Sequence, residues 1–263
     1  MDLRLEGKKA LCCASSKGLG FASAMALATE GAEVFLSARH REPLEAAAGR
    51  IAQAGGRRPE LACADMAVAA DRERLFETAE RSLGQIDVML VNAGGPPPGP
   101  FERHGAENWQ LAVDLALGSV TQLCRLALPG MRRRGFGRIV QIVSIAGLEH
   151  IDGLILSNAS RPAVLGFAKA LARELGDSGV LINSICPGIF LTDRIRELAS
   201  ERAAEQGISR EQYLEQLGSD VPLGRPGDPA EVGDLAAFLA SPRNSYINGS
   251  AVVIDGGRTR RLI

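Results

Sequence analysis

The stretch "KKALCCASSKGLGFASAMALATEGAEVFLSA", residues 8–38, constrains the fold more than any other part of the chain. A continuous apolar run, "KKALCCA", passes through a turn holding Gly18 and Gly20 into a helix that ends at Gly31. A second apolar run, "AEVFLSA", follows. Strands that read as unbroken apolar runs belong to a parallel sheet covered on both faces. The same rhythm continues: a helix over "EPLEAAAGRIAQAG", then "PELACAD", "RERLFETAERSLG" and "IDVMLVNAG". Later come "GRIVQIVS", a helix after Leu156, "VLINSICPG", a helix over "PAEVGDLAAFLAS", and "GSAVVIDGG". Strand–helix alternation with right-handed crossovers predicts a doubly wound α/β fold. No linker, repeat or low-complexity segment divides the chain, so residues 1–263 read as one domain.

One stretch breaks the rhythm. Residues 191–220, "LTDRIRELASERAAEQGISREQYLEQLGSD", are highly charged, helical in pattern and without a strand partner. An insertion beyond a strand's carboxyl end is either a lid over a site or a solvated helical excursion. Composition excludes other classes. A formal net charge of -1 gives no argument for nucleic acid or an anionic membrane. No apolar run approaches the roughly 20 residues that span a bilayer. The start, "MDLRLEGKKALCC", has no signal-peptide core or cleavage site. Five scattered cysteines, Cys12, Cys13, Cys63, Cys124 and Cys186, show no CxxC spacing. They read as reduced thiols of a cytoplasmic protein without a metal site.

In "CASSKGLG" the two glycines fall where the first strand turns into a helix. Glycine there lets the backbone approach a pyrophosphate, and the helix N-terminus supplies N–H donors and a positive dipole end. An ordinary tight turn uses glycine too, but the strand–turn–helix context favours nucleotide binding.

From here the chain resembles the short-chain dehydrogenase/reductase family, in particular its 3-oxoacyl-(acyl-carrier-protein) reductase-like members. The family's T-G-x-x-x-G-x-G motif falls on Cys13, Ala14, Ser15, Ser16, Lys17, Gly18, Leu19 and Gly20; the last two glycines match and the first two positions do not. The N-A-G motif is intact as Asn92, Ala93 and Gly94. The acidic residue that meets adenine matches Asp65, followed by Met66. Pro187, Gly188 and Thr192 match the family's P-G motif and its threonine, and Asp255, Gly256 and Gly257 match its closing pattern. The resemblance implies a single-domain Rossmann-type sheet of seven strands with helices on both faces. It also implies a small-molecule substrate and assembly as a dimer or tetramer. For assembly, the family pairs the helix near Gln110 and the helix after Ser157 across a two-fold axis. Here "VLGFAKALAREL" sets Val164, Phe167, Ala168, Leu171 and Leu175 on one apolar stripe, broader than one sheet face needs.

Charge at the end of the second strand reads the cofactor. NAD readers place a carboxylate there for the ribose 2′-OH, and NADP readers place cations for the 2′-phosphate. The sequence has "SARHRE", with Ala38 where the carboxylate stands and Arg39 next. Arg39 and Lys17 together predict NADP(H) in preference to NAD(H). Otherwise Arg39 and Arg41 are surface charges.

The family's catalytic set is Asn, Ser, Tyr and Lys. The serine matches Ser144; the tyrosine position holds Ser157, the lysine position Arg161 and the asparagine position Asp114. The only tyrosines, Tyr213 and Tyr246, lie in no Y-x-x-x-K pattern, and the segment after Arg161 tracks the family without a gap, so the alignment has not slipped. A good general acid has a pKa near the working pH, and tyrosine starts near about 10 before a neighbouring ammonium lowers it. An alkyl hydroxyl lies far above that range. Ser157 is therefore a poor proton source and stops short of the tyrosine's reach. Arg161 keeps the charge and the reach to ribose hydroxyls while its proton stays bound. Asp114 adds a negative charge that can pair with Arg161.

His150, in "GLEHIDG", is a candidate replacement acid between Glu149 and Asp152, or a solvent-exposed loop residue. His104 and His40 have less claim, and His40 reads as closer to the adenosine phosphate. "GGPPPGPF", residues 94–101, predicts a stiff wall beside the nicotinamide. Pro162 predicts a kink or a late helix start directly after Arg161. Two classes follow: an atypical NADP(H)-dependent oxidoreductase acting on a carbonyl or alcohol, or a nucleotide-binding homologue without redox turnover.

Overall fold

The computed structural model describes residues 1–261, without the side chains of Leu198 and Glu201. Seven parallel strands form one sheet: β1 (Lys9–Cys12), β2 (Glu33–Ala38), β3 (Glu60–Cys63), β4 (Val88–Val91), β5 (Gly137–Ile142), β6 (Val180–Pro187) and β7 (Ala251–Ile254). Their spatial order is β3-β2-β1-β4-β5-β6-β7. The order reverses between β1 and β4, and ligands of such sheets bind outside the strand carboxyl ends at that switch point.

The apolar runs feed two cores at once. Along β1, Leu11 joins the cluster on one face of the sheet, and Ala10 and Cys12 join the cluster on the other. Along β4, Met89 and Val91 face one way, Val88 and Leu90 the other. Side chains alternate across a strand, so a strand covered twice must be apolar at every position. One face carries α1 (Gly18–Thr29), α2 (Arg41–Gln53) and, numbered by its place in the chain, α9 (Pro229–Ala240). The other carries α3 (Ala69–Leu83), α5 (Ser119–Arg134) and α6 (Ile155–Leu175). Between α3 and α5 runs α4 (Ala106–Val113), joined to α5 by one turn of π-helix, Asp114–Gly118. The charged insertion forms α7 (Asp193–Gln206) and α8 (Arg210–Ser219).

β5 carries a buried arginine that shows how this fold satisfies such a group. Arg138 Nε donates to Ser241 O at 3.2 Å, Nη1 to Gly137 O at 2.8 Å and Gly179 O at 3.0 Å, and Nη2 to Asn244 O at 3.0 Å. Burial lowers its pKa to about 10.

Three expectations are corrected. α6 starts at Ile155 and runs unbroken through Pro162, so its start is not delayed. Val164, Ala168, Leu171 and Leu175 are buried in this chain's own core, which leaves only Phe167 half-buried on the α6 stripe. Four of the five stripe residues are thus covered within the chain itself. Finally, the helical run Ala106–Arg134 is long and apolar enough to span a bilayer by length and composition. Glu107, Asp114 and Arg125, scattered along it, hid this run from the sequence reading. Val120, Leu123, Cys124, Ala127 and Met131 pack one side of it into the core.

Candidate active site

The turn after β1 is held from both sides. Ser15 N–H donates to Ser37 O at 2.8 Å and Ser15 Oγ donates to Cys12 O at 2.8 Å. Ser15 is fully buried, so its hydroxyl stitches β1 to β2 and faces away from solvent. Asn92 Nδ2 donates to Ala14 O at 3.2 Å, tying the end of β4 to the same turn. A Cβ on Gly20 would collide with that carbonyl oxygen and that amide, so only glycine fits there. Ala14 stands where the family has glycine and adopts φ +45°, a left-handed conformation that costs an L-residue about 1–2 kcal/mol. α1 begins after Lys17 with no side-chain cap and no acidic residue in its first turn. Its first N–H groups therefore keep donors and a positive dipole end for an anion.

Lys17 and Arg39 are exposed, and among the described residues neither has a hydrogen bond or ion pair through its side chain. The neighbouring cations are occupied: Arg41 and Arg58 bond Glu45, and Arg57 bonds Glu33. His40 is exposed beside Arg39. On the far side of the turn, Asp65 Oδ1 accepts from Ala67 N–H at 2.9 Å, and Met66 is buried. At the end of β6, a Cβ on Gly188 would lie 2.7 Å from Asp255 Cβ, so Pro187–Gly188 packs tightly on the turn after β7. Thr192 caps α7, its Oγ1 accepting from Ile195 N–H at 3.4 Å, and its methyl faces Gly18. A cavity of about 680 Å³ between α1, α9 and the start of α7 includes Gly18 and Thr192, but none of Ser144, Ser157 or Arg161.

Of the positions that match the family's catalytic set, Ser144 follows β5, and Arg161 of α6 reaches the turn after β4. Ser144 Oγ accepts from Ala146 N–H at 3.0 Å. Ser157, Ser160 and Arg161 are buried on α6. Arg161 Nη2 donates to Gly94 O at 2.5 Å, while its Nε is shielded without an acceptor. Burial lowers the Arg161 pKa to about 10, so it stays charged at neutral pH. A void of about 10 Å³ beside it, lined by Val91, Leu115, Gln141 and Val143 among others, has room for roughly one water. Cys186, two residues before Gly188, is pushed up to about 11 by burial. The N–H of Ser144 and the charges of Arg161 and Arg261 oppose that rise.

Two site expectations are redrawn. Asp114 does not pair with Arg161; its Oδ2 accepts from Gln110 Nε2 at 3.1 Å, four residues back along the helix. The cation acting on Asp114 is instead Arg72, which sequence reasoning passed over. Arg72 is buried, donates to Met66 O at 2.6 Å and Gln122 Oε1 at 2.6 Å, and sits between Asp65 and Asp114. His150 is exposed and occupied on both ring nitrogens: Nδ1 accepts from Asn158 Nδ2 at 3.2 Å and Nε2 meets Asp152 Oδ1 at 3.0 Å. The proline segment is strapped to the loop before α6, Gly99 N–H donating to Gly153 O at 2.8 Å. His104 packs against Gly99, with both ring nitrogens shielded and unpartnered.

Fold and turn define a Rossmann-type α/β protein. A family described as Enoyl-(Acyl carrier protein) reductase matches residues 13–259. The chain is 35% identical over 255 residues to D-beta-hydroxybutyrate dehydrogenase of Cupriavidus necator, covering 96% of this chain and 98% of that one. It is 32% identical over 261 residues to 3-oxoacyl-(acyl-carrier-protein) reductase of Chlamydia muridarum, covering 98% and 99%. Among solved structures, L-sorbose reductase from Gluconobacter frateurii, complexed with NADPH and L-sorbose, matches at a TM-score of 0.96 and 31% identity over 100% of both chains. The chain belongs to the short-chain dehydrogenase/reductase family of oxidoreductases.

Proposed function

We propose that this chain is an NADP(H)-dependent oxidoreductase that interconverts a carbonyl and an alcohol on a small molecule, with Ser144 and Arg161 doing the work usually shared with a tyrosine and a lysine. The observation that carries the reading is Arg161: a buried cation anchored on Gly94 O, beside the N-A-G turn, with donors to spare. Those donors suit the nicotinamide ribose. A bound nicotinamide supplies the hydride in reduction and takes it back in oxidation. Ser144 uses its oxygen as an acceptor for Ala146 N–H, which leaves its own hydrogen for the substrate oxygen. The Arg161 charge stabilises the alkoxide that forms there, and such preorganised donors supply a large share of catalysis in enzymes of this kind. Ser157 takes no part in proton transfer, and the proton comes from water entering at the loop of His150.

The α1 N-terminus fits the pyrophosphate, and Asp65 and Met66 fit the adenine. Thr192, Pro187 and Gly188 border the nicotinamide, and α7 and α8 act as the lid. Unpaired Lys17 and Arg39 fit the 2′-phosphate, the cofactor named for the sorbose reductase being NADPH. By titration NADPH is expected to bind at least tenfold tighter than NADH, about 1.4 kcal/mol. Arg39→Asp is expected to reverse the order, and amides of α7 and α8 are expected to gain protection on binding. Equal affinity of the parent for both cofactors would sink the cofactor reading. Hydride transfer to a panel of ketones tests the enzyme reading; tight NADPH binding without any turnover would replace it with a binding role.

The reading includes a homodimer or homotetramer. The long α4–α5 run is apolar, with 39% of its most apolar window buried in this chain, and Tyr246 and Val253 are exposed beside the edge strand β7. Light scattering at micromolar concentration is expected to give at least twice the chain mass, and a monomer would contradict it.

A further inference from the structure

We propose that Arg72 is the positioning residue for the cofactor's base: its guanidinium fixes the Met66 peptide so that the Met66 N–H and the Asp65 carboxylate stand as the donor and acceptor that select adenine. The inference rests on the reading above that Asp65 and Met66 meet the adenine, and deepens it. The loop after β3 spends most of its polar groups on its own shape. Asp65 N–H donates to Asp71 Oδ2 at 2.8 Å, and Asp65 O accepts from Val68 N–H at 3.0 Å. Ala67 N–H donates to Asp65 Oδ1 at 2.9 Å, and Met66 O accepts from Arg72 Nη1 at 2.6 Å. Among the described residues, Met66 N–H and Asp65 Oδ2 are left without a hydrogen-bond partner. Asp65 is half-buried, so its free oxygen remains open to a ligand.

Adenine offers an acceptor at N1 and a donor at its N6 amino group, the complement of an N–H beside a carboxylate oxygen. Hypoxanthine offers a donor and an acceptor at the same two places, so it meets like with like. Telling the two bases apart requires the loop to hold its N–H still, and Arg72 does that from outside the loop. Its Nε donates to Gln122 Oε1 at 2.6 Å, and Gln122 Nε2 donates to Ala69 O at 3.0 Å. Nη1 also reaches Asp114 O, in the π-helical turn, at 3.4 Å. The guanidinium is thus pinned to α5, to the start of α3 and to the π-helical turn, and its planar fork passes that rigidity to the Met66 carbonyl. Arg72 is only 4% exposed, so water does not compete for these donors. Arg138 is the contrast. It too spends its donors on backbone carbonyls, but those of Gly137, Gly179, Ser241 and Asn244 belong to no cofactor motif. An arginine kept only to fill the core would not alter which base is bound.

The test measures binding of NADPH and of its reduced hypoxanthine analogue by calorimetry, in the parent, Arg72→Met and Arg72→Lys. Gln122→Met, which removes only the anchor of Nε at a half-buried position, serves should the Arg72 variants fail to fold. The parent is expected to bind NADPH about tenfold or more tighter than the analogue, since two hydrogen bonds are inverted. In Arg72→Met the ratio falls to within about threefold through weaker NADPH binding, while the analogue's affinity stays within about twofold. Arg72→Lys behaves like the methionine variant, because an ammonium keeps the charge but not the fork. Gln122→Met lowers the ratio in the same direction, by at least about threefold. An adenine preference that survives in Arg72→Met or, where that variant does not fold, in Gln122→Met overturns the proposal and leaves the adenine reading standing. So does a preference that Arg72→Lys retains in full. No preference in the parent, or no binding of either dinucleotide, refutes the adenine reading and the proposal with it.

Discussion

Arg161→Ala is expected to weaken NADPH binding by roughly ten- to a hundredfold, the loss of a charge-assisted hydrogen bond worth about 1.5–3 kcal/mol. The guanidinium is buried on α6 and bonded to Gly94 O, and Arg161 lines a small void with Val91, Leu115, Gln141 and Val143. Its depressed pKa marks a group whose charge costs the folded chain stability. The sign follows from the protons bound. With a folded value of about 10, below the ordinary guanidinium range, the native state holds this proton less tightly than the unfolded state. The penalty is therefore fully present below about pH 10 and shrinks only as pH rises beyond it toward the ordinary guanidinium range. Between about pH 6 and 9 neither stability nor NADPH affinity should vary through this group. Arg161→Met, which keeps volume, separates the two roles. Its Tm without cofactor is expected to equal or exceed that of the parent, while its NADPH affinity falls as in the alanine variant. A residue kept only for packing would lose Tm and leave affinity alone.

How much of this was legible in the sequence depended on how local the cause was. The sheet was legible because each strand's apolar run states that both its faces are covered, as Val88, Met89, Leu90 and Val91 show by feeding alternate cores. The glycine turn and the positions of Ser144, Ser157 and Arg161 were legible because spacing along a strand and one helix fixes them. What failed were statements about partners far away in sequence. Asp114 was assigned to Arg161, but its local neighbour Gln110 takes the carboxylate, and Arg72, forty-two residues away, supplies the charge. Arg72 looked like one more cation in "RERLFETAERSLG", since amphipathic patterning puts arginine outside and only tertiary contact reveals that it is buried. The width of the α6 stripe did not reveal that Val164, Ala168, Leu171 and Leu175 are already buried in the chain's own core. Of the kink or late start expected at Pro162, the late start fails: α6 begins at Ile155 and continues through the proline. Nothing in the C-terminal "RTRR" hinted that Arg261 returns to Leu148, across 113 residues.

The account's central claim is that proton donation has left position 157 and that Ser144, with Arg161, carries the reacting oxygen. Two serines, both near that oxygen, should then behave very differently. Ser144 sits at the end of β5 with its acceptor role filled by Ala146 N–H, so its hydrogen is the one aimed at substrate. Removing such a donor costs about 10²–10³ in kcat. Ser157 is buried on the first turn of α6, and its hydroxyl has a pKa too high for acid catalysis. The most direct measurement is single-turnover hydride transfer from NADPH for Ser144→Ala and Ser157→Ala, with NADPH affinity measured alongside. The expected result is a loss of about 10²–10³-fold at Ser144 and less than about tenfold at Ser157, both variants binding NADPH as the parent does. A loss of about 10²–10⁴-fold in Ser157→Ala with NADPH binding intact would make Ser157 the working acid or an essential positioning group, and would contradict the account.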